Sequence, residues 1–70
     1  MKIRIKTYDN RKYTLHHVKD FKFIPHLNVY RFYFCDNTYT EFNVKDIEAA
    51  TEQKFFTAQT AFIVGGRIKR

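Results

Sequence analysis

Lysines, arginines and tyrosines alternate with apolar residues along two short stretches of the chain. Side chains that alternate in this way lie on one face of a β-strand about 7 Å apart, close to the spacing of extended nucleotides. Cations neutralise phosphate groups, and aromatic rings stack on unpaired bases. The candidate binding residues are Lys2, Arg4, Lys6, Lys12, Arg31, Tyr33 and Tyr39.

The basic charge is unevenly distributed along the 70 residues. The net charge of +6 belongs entirely to residues 1–35, which contain eight Lys or Arg against two Asp, whereas residues 36–70 contain five of each sign. Such asymmetry favours a polyanionic partner. The last four residues, 67–70, include three further cations and are expected to form a basic tail behind a single small domain over residues 1–66.

Several protein classes are disfavoured by the composition. A single cysteine, Cys35, cannot form an internal disulfide and is typical of a reducing compartment. No apolar run approaches the roughly 20 residues of a membrane span, and the N-terminus lacks the apolar stretch of a secretion signal. We therefore expect a cytoplasmic protein without a membrane partner.

Two segments with the same turn chemistry, residues 8–10 and residues 35–37, position the candidate residues. Both contain Asp-Asn, which favours turns, and Asn tolerates the left-handed conformation that a three-residue hairpin loop needs. Such loops keep apolar residues opposite one another, as register requires. The predicted inner pairs are Ile3 with Leu15, Ile5 with Tyr13, Tyr30 with Phe42 and Phe32 with Thr40, and the outer pairs are Arg4 with Thr14, Lys6 with Lys12, Arg31 with Glu41 and Tyr33 with Tyr39.

The segments after the two hairpins are expected to differ. In the first copy one extra residue at His16-His17 predicts a β-bulge, and a strand over residues 21–24 stops at Pro25. In the second copy Asp46 can cap a helix whose apolar residues recur up to residue 62, ahead of two glycines.

The predicted fold class is therefore α+β and mainly β. It is a curled antiparallel sheet of four or five strands, built from two similar hairpins, with a C-terminal helix on one face. The alternative is an all-β, SH3-like small barrel, in which residues 47–51 and 61–64 are strands.

Catalytic and metal chemistry find little support. The histidines and Cys35 are not at a standard zinc spacing, and the recurring Asp20 and Asp46 are explained by turns or caps. No Gly-rich phosphate loop occurs. We expect neither a catalytic residue, a metal site nor a cofactor, and hence not an enzyme.

The leading hypothesis is a small non-enzymatic accessory protein that binds nucleic acid, preferably single-stranded DNA or RNA, through the basic and aromatic face of its sheet. The alternative is a protein-binding inhibitor or modulator, encoded by a phage or other mobile element and directed at a larger host protein. That protein would use the same face or an acidic helix face with Glu48 and Glu52. A homodimer paired through the sheet edge at residues 29–35 is a third reading.

Overall fold

The computed structural model describes residues 1–53 and 60–68. These residues form eight β-strands and one short 3-10 turn. The elements are β1 (Lys2–Thr7), β2 (Lys12–Leu15), β3 (Val18–Ile24), β4 (Val29–Phe34), β5 (Tyr39–Asn43), the 3-10 turn (Val44–Asp46), β6 (Ile47–Gln53), β7 (Thr60–Val64) and β8 (Arg67–Ile68).

The strands form two separate antiparallel sheets. The five-stranded sheet has the order β2-β1-β6-β7-β8, and the three-stranded sheet has the order β3-β4-β5. The mainly β, antiparallel fold is thus confirmed. The expected single sheet is wrong, because the hairpin β1–β2 belongs to one sheet and the hairpin β4–β5 to the other. No strand pairing joins the two sheets within the described residues, so they do not close into a barrel.

The hydrophobic core lies between the two sheets and draws on both. The buried apolar residues that pack together are Ile3, Ile5, Val18, Tyr30, Phe32, Ile47, Ala50 and Ile63. Two pairs of aromatic rings connect the sheets. The rings of Tyr13 and Phe42 meet edge to face at 5.2 Å between β2 and β5, and those of Phe21 and Phe62 lie 4.8 Å apart between β3 and β7.

Both hairpins have the predicted register. Ile5 lies opposite Tyr13 and Arg4 opposite Thr14 in the first hairpin. Phe32 lies opposite Thr40 and Arg31 opposite Glu41 in the second. The remaining predicted cross-strand pairs are present as well, namely Ile3 with Leu15, Lys6 with Lys12, Tyr30 with Phe42 and Tyr33 with Tyr39. Alternation of apolar and polar residues, together with the three-residue loops, was sufficient to fix these pairs.

The predicted helix over residues 46–62 is wrong. Residues Ile47–Gln53 form β6 and Thr60–Val64 form β7, with residues 54–59 outside the described part of the chain. Only Val44–Asp46 is helical, as one 3-10 turn, and no α-helix occurs in the residues that the structure describes. The strands of the alternative fold are therefore present, although the barrel is not closed.

The physical reason is the central position of β6, which pairs with β1 on one side and β7 on the other. Backbone pairing on both edges and complete burial of Ile47 and Ala50 outweigh the helix preference of the Glu and Ala residues, which amounts to less than about 1 kcal/mol per residue. Asp46 is not an N-cap. Asn43 caps the 3-10 turn instead, because its side-chain oxygen accepts a hydrogen bond from the Lys45 amide at 3.0 Å.

The link between the sheets lies at His16-His17, where a bulge had been predicted. Strand β2 ends at Leu15, β3 begins at Val18, and His17 adopts a left-handed conformation with φ of 58°. The register of β3 against β4 shifts just after this link, between Val18 and Asp20. The chain returns to the five-stranded sheet through the 3-10 turn Val44–Asp46, so both copies change sheet after their hairpin.

The two glycines form the turn between β7 and β8 rather than the end of a helix. Gly66 has φ of 76°, and a Cβ atom on it would lie 2.6 Å from the Val44 carbonyl oxygen, so this position requires glycine. The buried Tyr30 hydroxyl donates to the Gly66 carbonyl oxygen at 3.0 Å. Arg67 and Ile68, the first two residues of the expected tail, pair with β7; residues 69–70 lie outside the described chain.

Candidate nucleic-acid interface

Four of the seven predicted binding residues share the outer face of the five-stranded sheet. Lys2, Arg4 and Lys6 alternate on β1 with the buried Ile3 and Ile5, so their side chains point away from the core. Lys12 lies opposite Lys6 on the edge strand β2, and Arg67 adds a cation on β8. We call this surface the basic face; its residues are Lys2, Arg4, Lys6, Lys12 and Arg67.

Strand register places one row of residues straight across the basic face. Lys12, Lys6, Ala49, Val64 and Arg67 are successive partners on β2, β1, β6, β7 and β8. The row spans four strand spacings, or about 19 Å. Small side chains therefore occupy its centre and cations its two ends.

A second row is arranged in the same way around Arg4. Thr14, Arg4, Thr51 and Ala61 are successive partners on β2, β1, β6 and β7. Since its neighbours are short, the exposed Arg4 guanidinium stands above a shallow surface. A long anionic chain can approach such a surface without meeting bulky side chains.

The cations of the basic face are only partly neutralised. Lys6 forms an ion pair with Glu48 at 3.2 Å, and both side chains remain well exposed. Within residues 1–53 and 60–68, Arg4 and Lys12 form no ion pair. Lys12 faces Lys6 directly, and like charges opposite each other on a sheet destabilise it. A bound anion would relieve that repulsion.

The other three predicted residues lie on the outer face of the three-stranded sheet. Arg31 is already engaged: its Nε and Nη2 atoms donate to Glu41 Oε2 at 2.9 and 2.7 Å. Its guanidinium carbon also lies 4.4 Å from the centre of the Tyr39 ring. These hydrogen bonds to the Glu41 carboxylate raise the pKa of Arg31 above its usual value. Tyr33 and Tyr39 form a tilted cross-strand pair at 6.2 Å.

The structure does not bring these two groups into one surface. Both sheets turn their apolar faces towards the same core, so their outer faces point in opposite directions. The sequence had placed all seven residues on one open sheet. The position of Arg67 was also missed, because we expected it in a tail. Two glycines between short apolar stretches are a hairpin signal that could have placed Arg67 opposite Val64.

Metal-ligating, nucleophilic and acidic side chains are the remaining candidates for a functional site. No group of three or more His, Cys, Asp or Glu side chains in the described residues could hold a metal ion. Cys35 is an exposed free thiol. The acidic helix face expected at Glu48 and Glu52 is wrong, because both residues lie on β6 and Glu48 pairs with Lys6.

The chain matches no protein-family model, no curated protein and no solved structure. In the part of the chain that the structure describes, no helix has the length and apolarity needed to cross a membrane.

Proposed function

We propose that this chain is a small non-enzymatic nucleic-acid-binding protein that contacts the phosphate backbone through the basic face. The observation that carries the proposal is the pair of cations without ion-pair partners in the described chain, Arg4 and Lys12, beside the half-compensated Lys6. The neighbouring positions on β6 and β7 carry the short side chains of Ala49, Thr51 and Ala61, so a phosphate backbone can reach these cations. Neutralised phosphates release counterions, which supplies most of the affinity of such contacts.

A preference for single-stranded DNA or RNA would come from ring stacking. The rings that support it, Tyr33 and Tyr39, lie on the three-stranded sheet. We assign backbone contacts to the basic face and treat stacking on these tyrosines as a separate contribution. Each stacked base adds roughly 1 to 3 kcal/mol.

The test is fluorescence anisotropy of labelled single-stranded and double-stranded oligonucleotides over a range of salt concentrations. Five phosphate contacts predict a log-log slope near −3.5 for a single strand and about −4.5 for a duplex. The double variant Arg4→Ala/Lys12→Ala should make the single-strand slope shallower by about 1.4. Arg31→Ala/Tyr33→Ala should leave the slope nearly unchanged and weaken only single-strand binding.

The matched control is Lys19→Ala/Lys22→Ala, which removes the same charge from exposed positions of the three-stranded sheet. It should change the slope much less than the Arg4/Lys12 variant. An equal effect would mean that net charge alone attracts the oligonucleotide. A shallow slope for every ligand, or no binding at low salt, would instead favour the protein-binding alternative.

A further inference from the structure

An open groove runs between β2 and β5, where the edges of the two sheets face each other without pairing. Its volume is about 810 Å³. Aromatic and acidic side chains dominate its lining, and none of the Lys or Arg residues in the described part of the chain lines it. The residues that matter are Tyr8, Tyr13, Phe42, Asp9, Glu41 and Asp46.

The aromatic residues present ring surface to solvent. Tyr8 is 58% exposed and Tyr13 is 36% exposed, whereas Phe42 is half-buried and packs edge to face against Tyr13. Burying one such ring removes roughly 150 to 250 Å² from water, so a ligand that covers these rings gains free energy. Phe42 also contacts the buried Phe32 at 6.0 Å, so the floor of the groove is anchored in the core.

One carboxylate in the groove is uncompensated. Asp9 accepts a hydrogen bond from the Thr7 hydroxyl and pairs with Arg11, while Glu41 pairs with Arg31. The Asp46 carboxylate has no hydrogen bond or ion pair among the described residues. Its backbone is fixed nevertheless, since the Asp46 carbonyl accepts from the Tyr8 amide at 3.0 Å. That bond places the backbone of Asp46 beside that of Tyr8, and both residues line the groove.

Rings next to a free carboxylate attract cations. A guanidinium or ammonium group over an aromatic face gains about 0.5 to 2 kcal/mol, and a carboxylate adds a charge-assisted hydrogen bond. The acidic side chains of the groove disfavour a polyanion as its ligand. This local negative charge differs from the net charge of the whole protein, which is +6. The bordering strands β2 and β5 are both sheet edges, which an extended segment can follow.

We propose that this groove binds an arginine or lysine side chain presented by an extended segment of a partner protein. The cation lies between Tyr8 and Tyr13 and pairs with Asp46. This site is separate from the basic face and does not depend on it. The protein would then join a polyanion on one surface to a basic peptide on another.

The experiment is an NMR titration with two blocked eight-residue peptides, one of Gly and Ser with two Arg, and the same peptide with Glu in their place. The Arg peptide should shift the ring signals of Tyr8 and Tyr13 and the amide of Asp46, despite the net positive charge of both molecules. Tyr8→Ala and Asp46→Asn should each weaken binding about fivefold. The two readouts are independent, so one unstable variant does not leave the proposal untested.

Two matched controls lie outside the groove. Tyr39→Ala removes a ring that is 54% exposed, and Asp20→Asn removes an exposed carboxylate of β3. Neither should change the affinity for the Arg peptide. Equal binding of the Glu peptide, equal losses in the controls, or shifts confined to other surfaces would overturn the proposal. Groove signals that move with protein concentration in the absence of peptide would also overturn it, because a second copy would then be the occupant.

Discussion

The two hairpins of this protein have nearly the same turn and very different outer surfaces. In the first, the Thr7 amide donates to the Arg11 carbonyl at 3.0 Å, and Asn10 has φ of 65°. In the second, the Phe34 amide donates to the Thr38 carbonyl at 2.8 Å, and Asn37 has φ of 70°. The local geometry is repeated, although the hairpins belong to different sheets.

Counting outward from the turns identifies equivalent pairs on the outer faces. Lys6 with Lys12 in the first hairpin corresponds to Tyr33 with Tyr39 in the second, and Arg4 with Thr14 corresponds to Arg31 with Glu41. The second hairpin satisfies its arginine internally. The first leaves its arginine without an ion pair among the described residues and adds a repulsive lysine pair. The same hairpin backbone thus carries two kinds of outer surface. In the second hairpin the charged residues pair with each other, and in the first they are suited to binding an external anion.

The inner faces of the hairpins should respond alike to truncation, with the largest effects on stability. Ile5 and Phe32 are equivalent positions, with 1% and 0% of their surfaces exposed. Ile5→Ala should cost about 3 kcal/mol and Phe32→Ala about 4 kcal/mol of unfolding free energy, measured by urea denaturation.

The milder variants Ile5→Val and Phe32→Leu keep this comparison measurable if the alanine variants do not fold. Each should cost about 1 kcal/mol. Wild-type stability after either change would mean that the corresponding hairpin is not part of the shared core. The equivalence of the inner faces would then fail.

The turns should be the next most sensitive feature. Asn10→Ala and Asn37→Ala should each cost about 1 kcal/mol, because alanine pays a steric penalty in the left-handed conformation that asparagine tolerates. Asn10→Gly and Asn37→Gly should be nearly neutral, since glycine adopts positive φ without that penalty. Thermal or urea unfolding of the four variants tests this. A clear difference between the two hairpins would contradict the equivalence of their turns.

Much of this local structure could be predicted from the sequence. Alternation around Asp9-Asn10 and Asp36-Asn37 fixed four cross-strand pairs in each hairpin, because a slip by one residue would have turned apolar side chains outward. The pairing of Arg31 with Glu41 followed from the same register. These features depend on residues close together in the chain.

The features that sequence reasoning missed depend on distant partners. Residues 47–53 are rich in good helix formers, but β6 is a strand because β1 and β7 pair with both its edges. The division into two sheets follows from long-range pairing, since β3 pairs with β4 and β6 pairs with β1. Nothing in the pattern around His16-His17 separates a bulge from a change of sheet. The predicted binding residues therefore lie on two sheets instead of one, and the groove between β2 and β5 could not be predicted from the sequence.

The smallest expected effect on stability, and the sharpest test of the comparison, comes from exchanging one pair of outer residues. The double variant Thr14→Glu/Glu41→Thr keeps the net charge at +6 while it moves the carboxylate from Arg31 to Arg4. One half-exposed ion pair is lost and an equivalent one gained, so the unfolding free energy should change by less than about 1 kcal/mol.

Binding should change more than stability in this variant. Arg4 becomes neutralised within the basic face, so oligonucleotide affinity should fall and its salt slope should become shallower by about 0.7 for a single strand. Arg31 is freed on the opposite face, where the cations of the basic face cannot act with it. Unchanged affinity, measured by anisotropy at matched salt, would show that the total charge and not its placement on the first hairpin determines binding.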